Sequence, residues 1–384
     1  MKIARCEAIP LNLEMTLDAG ATSRRTHLSC VVVLLETDDG LTGCGFTAIT
    51  EEEVVAAAIN EIAAPAIVGM DPMEHERIWE RLYWLLAPRG QSGYAMHAIA
   101  AVDLAVWEVR AKSVGLPVWK LLGGARRRVP VYATFGFGFF DESQLVDAAK
   151  DWSARGFRRL KMTVGNHALQ RRDEPRPLSD VIREDERRVQ AVRTAVGAEV
   201  EICIDANCSL DPYHATRLAQ RLEDADLAFF EEPLTQNDVR ALADLRSRTR
   251  IPLAAGQNEG LASRFVDFCQ ARALDILQPN VAITGGITQC LRIAGIAQAF
   301  NVAIANGGAW PFHNMHLHAG LAHGGFVEYH RSAVLLYEQI YTQLPATRDG
   351  WLELSDAPGF GIEPDWAAIR TLAKRPLSRG TGKA

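Results

Sequence analysis

From residue 129 to residue 330 the chain repeats one pattern: a short apolar run that closes on a carboxylate or an amide, then a polar turn, then apolar residues at helical spacing. Glu201-Ile-Cys-Ile-Asp-Ala-Asn207 shows it most clearly, and Leu227-Ala-Phe-Phe-Glu-Glu-Pro233, Ile251-Pro-Leu-Ala-Ala-Gly-Gln257, Leu274-Asp-Ile-Leu-Gln-Pro-Asn280, Val302-Ala-Ile-Ala-Asn306 and Phe326-Val-Glu328 repeat it. Asp205, Glu231 and Gln257 fall at intervals of 26 positions, as do Asn280 and Asn306. That interval matches one strand, one helix and two loops, the unit of a (β/α)8 barrel. Val129-Pro-Val-Tyr-Ala-Thr134 opens the series and Phe157-Arg-Arg-Leu-Lys-Met-Thr163 is its second strand. Asp141 is placed to cap the helix between them, and Gly156 to end it.

The first third of the chain reads differently. Residues 1–13 and 28–48 alternate well enough for three strands, with Asp38-Asp39-Gly40 as a hairpin turn. Thr16 to His27 lacks periodicity and is expected to be a loop, either solvated or a lid. Helical spacing follows over Glu51–Gly69, Asp71–Leu86 and Ser92–Ser113. The expected organisation is an α+β capping domain over residues 1–125, the barrel over 126–345, and a segment over 346–384 that returns to the cap. Gly165 to Asp180 is long and charged, a cover or a solvated excursion, while Gly285-Gly286 precedes a helix and fits either an anion site or a tight turn.

Composition narrows the function classes. Of 384 residues 48% are apolar and the net charge is −6, with no basic run of the kind that binds nucleic acid or a membrane surface. A small molecule is the expected partner, and a homo-oligomer the expected assembly. The seven scattered cysteines have no metal-binding or disulfide spacing, and Met1-Lys-Ile-Ala-Arg begins as a strand, so a reducing, cytoplasmic setting is expected. Acids that end apolar strands are chosen against core logic, which makes Asp205 and Glu231 candidates for chemistry. Glu232 reads as their structural partner. His97 reads as a core histidine within an apolar helix, and His316 and His318 sit at spacing that suits helix-face packing for at least one of them.

Thr37-Asp-Asp-Gly-Leu-Thr-Gly43, Gly156-Phe-Arg-Arg-Leu-Lys161, Asp205-Ala-Asn207, Phe230-Glu-Glu-Pro233, Gly256-Gln-Asn-Glu259, Gln278-Pro-Asn280 with Gly285-Gly286, and Glu328-Tyr-His330 together resemble the enolase superfamily. The resemblance is to its mandelate racemase and acid-sugar dehydratase branch and spans the chain. It implies a magnesium ion held by strand-end carboxylates, and abstraction of a proton α to a substrate carboxylate. Carried over, Asp205 and Glu231 match two metal ligands, while Gln257 stands where the third carboxylate belongs. Lys161 matches the first lysine of strand two, but Thr163, Asn280 and Asn306 occupy the positions of the usual bases. The resemblance therefore leaves Lys161 as the base, lowered by the cation, with His330 or His313 returning a proton. Asn207, Asn280, Asn306 and Glu328 are expected at the substrate. Arg25 and His27 are expected to reach it from a loop placed over the barrel mouth. The function implied is a magnesium-dependent lyase acting on a sugar-acid or hydroxy-acid carboxylate, with a racemase or epimerase, or a non-catalytic acid-binding protein, as alternatives.

Overall fold

The computed structural model describes residues 1–19, 22–165 and 176–373. Strands β1 (Ile3–Ala19), β2 (Thr22–Thr37) and β3 (Thr42–Ala48) form an antiparallel sheet in that order. The Gly40 turn is as expected, with φ at 88°. The loop expected from Thr16 to His27 is instead a ribbon: β1 and β2 stay paired to Ala19↔Thr22, with Leu17 opposite Arg24 and Thr16 opposite Arg25. The cause is an alternation that continues through Leu11, Leu13, Met15 and Leu17, all buried against the rest of the protein.

The helix Tyr94–Ser113 lies between this sheet and the barrel and is buried along most of its length. Its close approach to β3 requires glycine, because a Cβ on Gly45 would stand 1.8 Å from the Ala101 carbonyl oxygen. Three buried polar side chains leave this helix, each to a partner. His97 meets the Thr47 hydroxyl at 2.6 Å, Glu108 accepts from the Cys44 N–H, and Asp103 accepts from the N–H and the hydroxyl of Thr288 at 3.0 and 2.6 Å.

Parallel strands β4 (Arg128–Gly136), β5 (Arg159–Thr163), β6 (Glu201–Asp205), β7 (Leu227–Glu231), β8 (Leu253–Ala255), β9 (Ile276–Leu277), β10 (Ala303–Ile304) and β11 (Val327–His330) form the barrel. β11 pairs with β4, and the gap between β10 and β11 is bridged by the Asn306 N–H donating to the Phe326 carbonyl at 2.8 Å. Helices separate the strands, the first capped by Asp141 as expected, with the Gln144 N–H donating to Asp141 Oδ1 at 2.9 Å. Tyr132, Cys203, Phe229 and Ala254 pack together inside the barrel, and the next inward positions toward the strand ends carry the polar groups described below.

After the barrel, β12 (Thr347–Arg348) and β13 (Trp351–Glu353) form a hairpin, and β13 runs antiparallel to the start of β4. The helix Trp366–Leu372 then meets β1, where Arg370 Nη1 donates to Glu7 Oε1 at 2.7 Å. Most of the charged excursion expected after β5 lies outside the described residues, as does the chain from 374 onward.

Candidate active site

Period-two alternation places Thr134 on β4, Lys161 and Thr163 on β5, Asp205 on β6, Glu231 on β7, and Glu328 and His330 on β11 toward the barrel axis. Register then brings them level: Thr134 pairs with Lys161, Thr163 with Asp205, and Asp205 with Glu231. Lys161 is the centre of the group. Its Nζ lies 3.0 Å from Asp205 Oδ2, 2.6 Å from Glu231 Oε1 and 3.0 Å from Glu328 Oε1, and it sits above the Tyr132 ring at 5.4 Å. The lysine is 1% exposed.

Burial alone would lower the lysine, but the three surrounding carboxylates outweigh it and hold Lys161 well above the usual amine range. A lysine so held carries a proton, and the basicity expected of it from the sequence would require a bound cation beside it. Burial and the neighbouring Asp205 raise Glu231 against the opposing pull of Lys161, and Glu231 also accepts from Gln278 Nε2 at 2.8 Å. Glu328 goes the other way: burial raises it, but Lys161, His330 and hydrogen bonds from Thr134 and the Ala309 N–H bring it below the ordinary range. Removing one partner from such a cluster leaves an uncompensated buried charge, at a cost of roughly 3–5 kcal/mol.

Thr134, Lys161, Asp205 and Glu328 form the floor of a cavity of about 860 Å3 beneath the cap, also lined by Thr163, Asn207, Gln257 and His330. Among the described barrel residues, His330 is the imidazole that lines the cavity. Burial, its largest influence, holds it below the ordinary imidazole range, so it is neutral near pH 7; its Nδ1 is a buried nitrogen with no hydrogen-bond partner among the described residues. Gln257 donates its amide to Glu232 Oε2 at 2.7 Å, and its Oε1 is buried against Gly308 with no partner among the described residues. Glu232 is the structural acid expected of it, receiving amides from Gln257, Asn258 and Asn237. Two carboxylates on paired strands and an orphaned amide oxygen form a hard-oxygen donor set suited to a divalent cation, one charge short of three carboxylates. Among the described residues no three His, Cys, Asp or Glu side chains form a metal-holding group.

Other predicted residues lie elsewhere. Asn280 is fully buried and spends its amide on the Gly307, Gly308 and Ala309 carbonyls, with Oδ1 taken by the Ala282 N–H and Asn314. Asn306 accepts from the Glu328 N–H at 3.0 Å and donates to the Gly307 carbonyl at 2.8 Å, so it closes the barrel rather than facing a substrate. His313 lies in the core, hydrogen-bonded to the Tyr337 hydroxyl at 2.7 Å and stacked on Phe46, and burial pushes it down to about 3. His316 is spent likewise on the Trp119 N–H and the Phe360 carbonyl. Arg25 and His27 face away from the cavity and approach Glu14 at 3.8 and 3.7 Å.

Their strand neighbour Arg24 lines the cavity instead, its guanidinium 4.6 Å from the centre of the Phe139 ring. The alternation that buries Leu17 is the signal that identifies it, since cross-strand partners share a face. His97 also lines the cavity while hydrogen-bonded to Thr47, so it is more than a core histidine.

Residues 144–368 match the model of the enolase C-terminal domain-like family, and residues 9–123 that of the mandelate racemase / muconate lactonizing enzyme N-terminal domain. A 3,6-anhydro-alpha-L-galactonate cycloisomerase of Streptomyces coelicolor is 30% identical over 89% of this chain and 91% of its own length. An arabinonate dehydratase of Saccharolobus solfataricus is 28% identical over 87% and 88%. Among solved structures, an L-talarate dehydratase from Polaromonas sp. JS666, complexed with Mg and L-glucarate, superposes with a TM-score of 0.84 at 29% identity, covering 97% of this chain and 98% of that one. With its barrel, its cap and these matches over both, the chain belongs to the mandelate racemase-like branch of the enolase superfamily, and its relatives there include acid-sugar dehydratases, a cycloisomerase and a racemase.

Proposed function

We propose that this protein is a magnesium-dependent lyase that removes water from a sugar acid by taking the proton α to its carboxylate. The observation that carries the reading is the cavity floor, where a charged Lys161 bridges three carboxylates and a neutral His330 stands on the same strand face as Glu328. Asp205, Glu231 and the free oxygen of Gln257 would hold the ion. When bound, magnesium supplies positive charge against the negative charge that develops on the substrate carboxylate.

The Lys161 ammonium adds a second positive charge near the same carboxylate, and that charge favours the enediolate over the starting acid. His330 takes the α-proton as the C–H bond breaks. The carbon–oxygen bond at the β-carbon then breaks, the imidazolium returns its proton to the departing hydroxyl, and water leaves. The remaining enol becomes a 2-keto-3-deoxy acid. One imidazole suffices for this sequence, whereas epimerisation asks for a second proton donor across the substrate. The strand-two position for that donor is Thr163, whose hydroxyl donates to the Gly136 carbonyl at 3.1 Å. That commitment favours elimination.

The test is a panel of sugar acids incubated with enzyme and magnesium, with 2-keto-3-deoxy product trapped as its semicarbazone. Product is expected from at least one acid, and His330→Asn should lower its kcat by at least about 100-fold. An epimer accumulating without keto product would replace the lyase with a racemase.

A further inference from the structure

Building on the acid-sugar reading above, we propose that the substrate is a dicarboxylate, an aldaric rather than an aldonic acid, whose second carboxylate is received under the cap by Arg24. Charge is unevenly distributed between the floor and the cap of the cavity. Its lining acids, Asp205 and Glu328, are both on the barrel floor and both within 3.0 Å of the Lys161 ammonium. The cap contributes Leu17, Arg24, Thr26, Leu28, Ile49 and His97 to the lining, and none of these is an acid.

His97 adds no charge, because burial pushes it down to about 4 and its Nδ1 is held by Thr47. Among the described residues Arg24 is thus the one formal charge that the cap brings to the cavity. Its strand neighbour Arg25 approaches Glu14, but among the described residues no carboxylate pairs with Arg24. The guanidinium is oriented all the same: it lies over Phe139, which is itself stacked on Phe137 with ring planes 1° apart. A flat guanidinium placed on an aromatic face and given no acid partner keeps its edge donors for a planar anion, and a carboxylate accepts two of them in parallel. The primary hydroxyl that ends an aldonic acid offers neither the charge nor the second acceptor.

The experiment uses matched pairs that differ only at that end: D-glucarate against D-gluconate, and galactarate against D-galactonate, each with magnesium. Binding is read by calorimetry and turnover by keto-acid formation. In the parent, the aldarate of the productive pair should have the higher kcat/KM. Arg24→Met should lower that value roughly 10- to 100-fold, largely through KM, while the aldonate value stays within about twofold. Arg24→Lys should recover part of the loss, since it restores charge without the fork. Aldonates handled as well as their aldarate partners by the parent would overturn the inference and leave the acid-sugar reading standing. Equal losses for both members of a pair in Arg24→Met would also overturn it. Failure of all four acids to bind would remove the acid-sugar reading and this inference with it.

Discussion

Asp103→Asn is expected to remove one specific slope from the pH dependence of stability. Asp103 reaches from the cap helix Tyr94–Ser113 to the start of the barrel helix Gly286–Ala299, where it accepts from both donors of Thr288. Its carboxyl occupies that helix N-terminus, so the site at the glycine pair is filled from within the chain. A Cβ on Gly286 would stand 2.3 Å from Asp103 Oδ2. Burial raises Asp103 from 3.8 to about 7, against the lowering effect of the Thr288 hydrogen bonds, Arg110 and Arg292. A pKa raised in the folded state means that the folded protein binds the proton more tightly. The associated stability is full below about pH 4 and is lost as pH rises through about 7.

The whole shift corresponds to about 4 kcal/mol, and about 2.5 kcal/mol of it falls between pH 5 and pH 8. Urea unfolding of parent and Asp103→Asn at matched pH isolates this contribution. The buried histidines shift stability the opposite way, toward loss below their usual range, but they are common to both proteins. Near pH 5 the variant should be the less stable by about 1–2 kcal/mol, for a lost hydrogen bond. Near pH 8 the difference should vanish or reverse. A gap that stays constant from pH 5 to pH 8 would refute the reasoning and show that Asp103 is ionised throughout.

Gln257→Glu should tighten magnesium binding on the order of tenfold by restoring a charge, and should destabilise the metal-free protein by about 1–3 kcal/mol because Glu232 loses a donor. Calorimetric titration that shows weaker or unchanged binding would remove Gln257 from the ligand set. Arg25→Ala and His27→Ala should leave KM within about twofold, since both side chains face Glu14 on the outer side of the ribbon. A larger rise in KM for either would place this face at the substrate.

The barrel and its acids were legible because an apolar strand that ends on Asp205 or Glu231 contradicts core logic at a repeated interval. What the pattern did not carry was the direction of the amides. Asn280 and Asn306 end strands as Asp205 does, yet they hold the loop after β10 and close the barrel, because an amide that donates and accepts can satisfy backbone as readily as it binds a ligand. The charge state of Lys161 was hidden for a different reason. It depends on three carboxylates from three other strands converging on one nitrogen, and no residue spacing records that convergence. Arg24 was obscured by a parity error: a ribbon read as a loop loses its alternation, and with it the reason to prefer Arg24 over Arg25 and His27.

The most direct measurement is proton NMR of a bound sugar acid in deuterated water with magnesium, on the parent and on His330→Asn. The account predicts that the parent exchanges or eliminates the α-hydrogen. His330→Asn should still bind the acid by calorimetry but leave that hydrogen in place. Exchange that persists in His330→Asn would contradict His330 as the base, and an acid that binds the parent without exchange or elimination would contradict catalysis at this site.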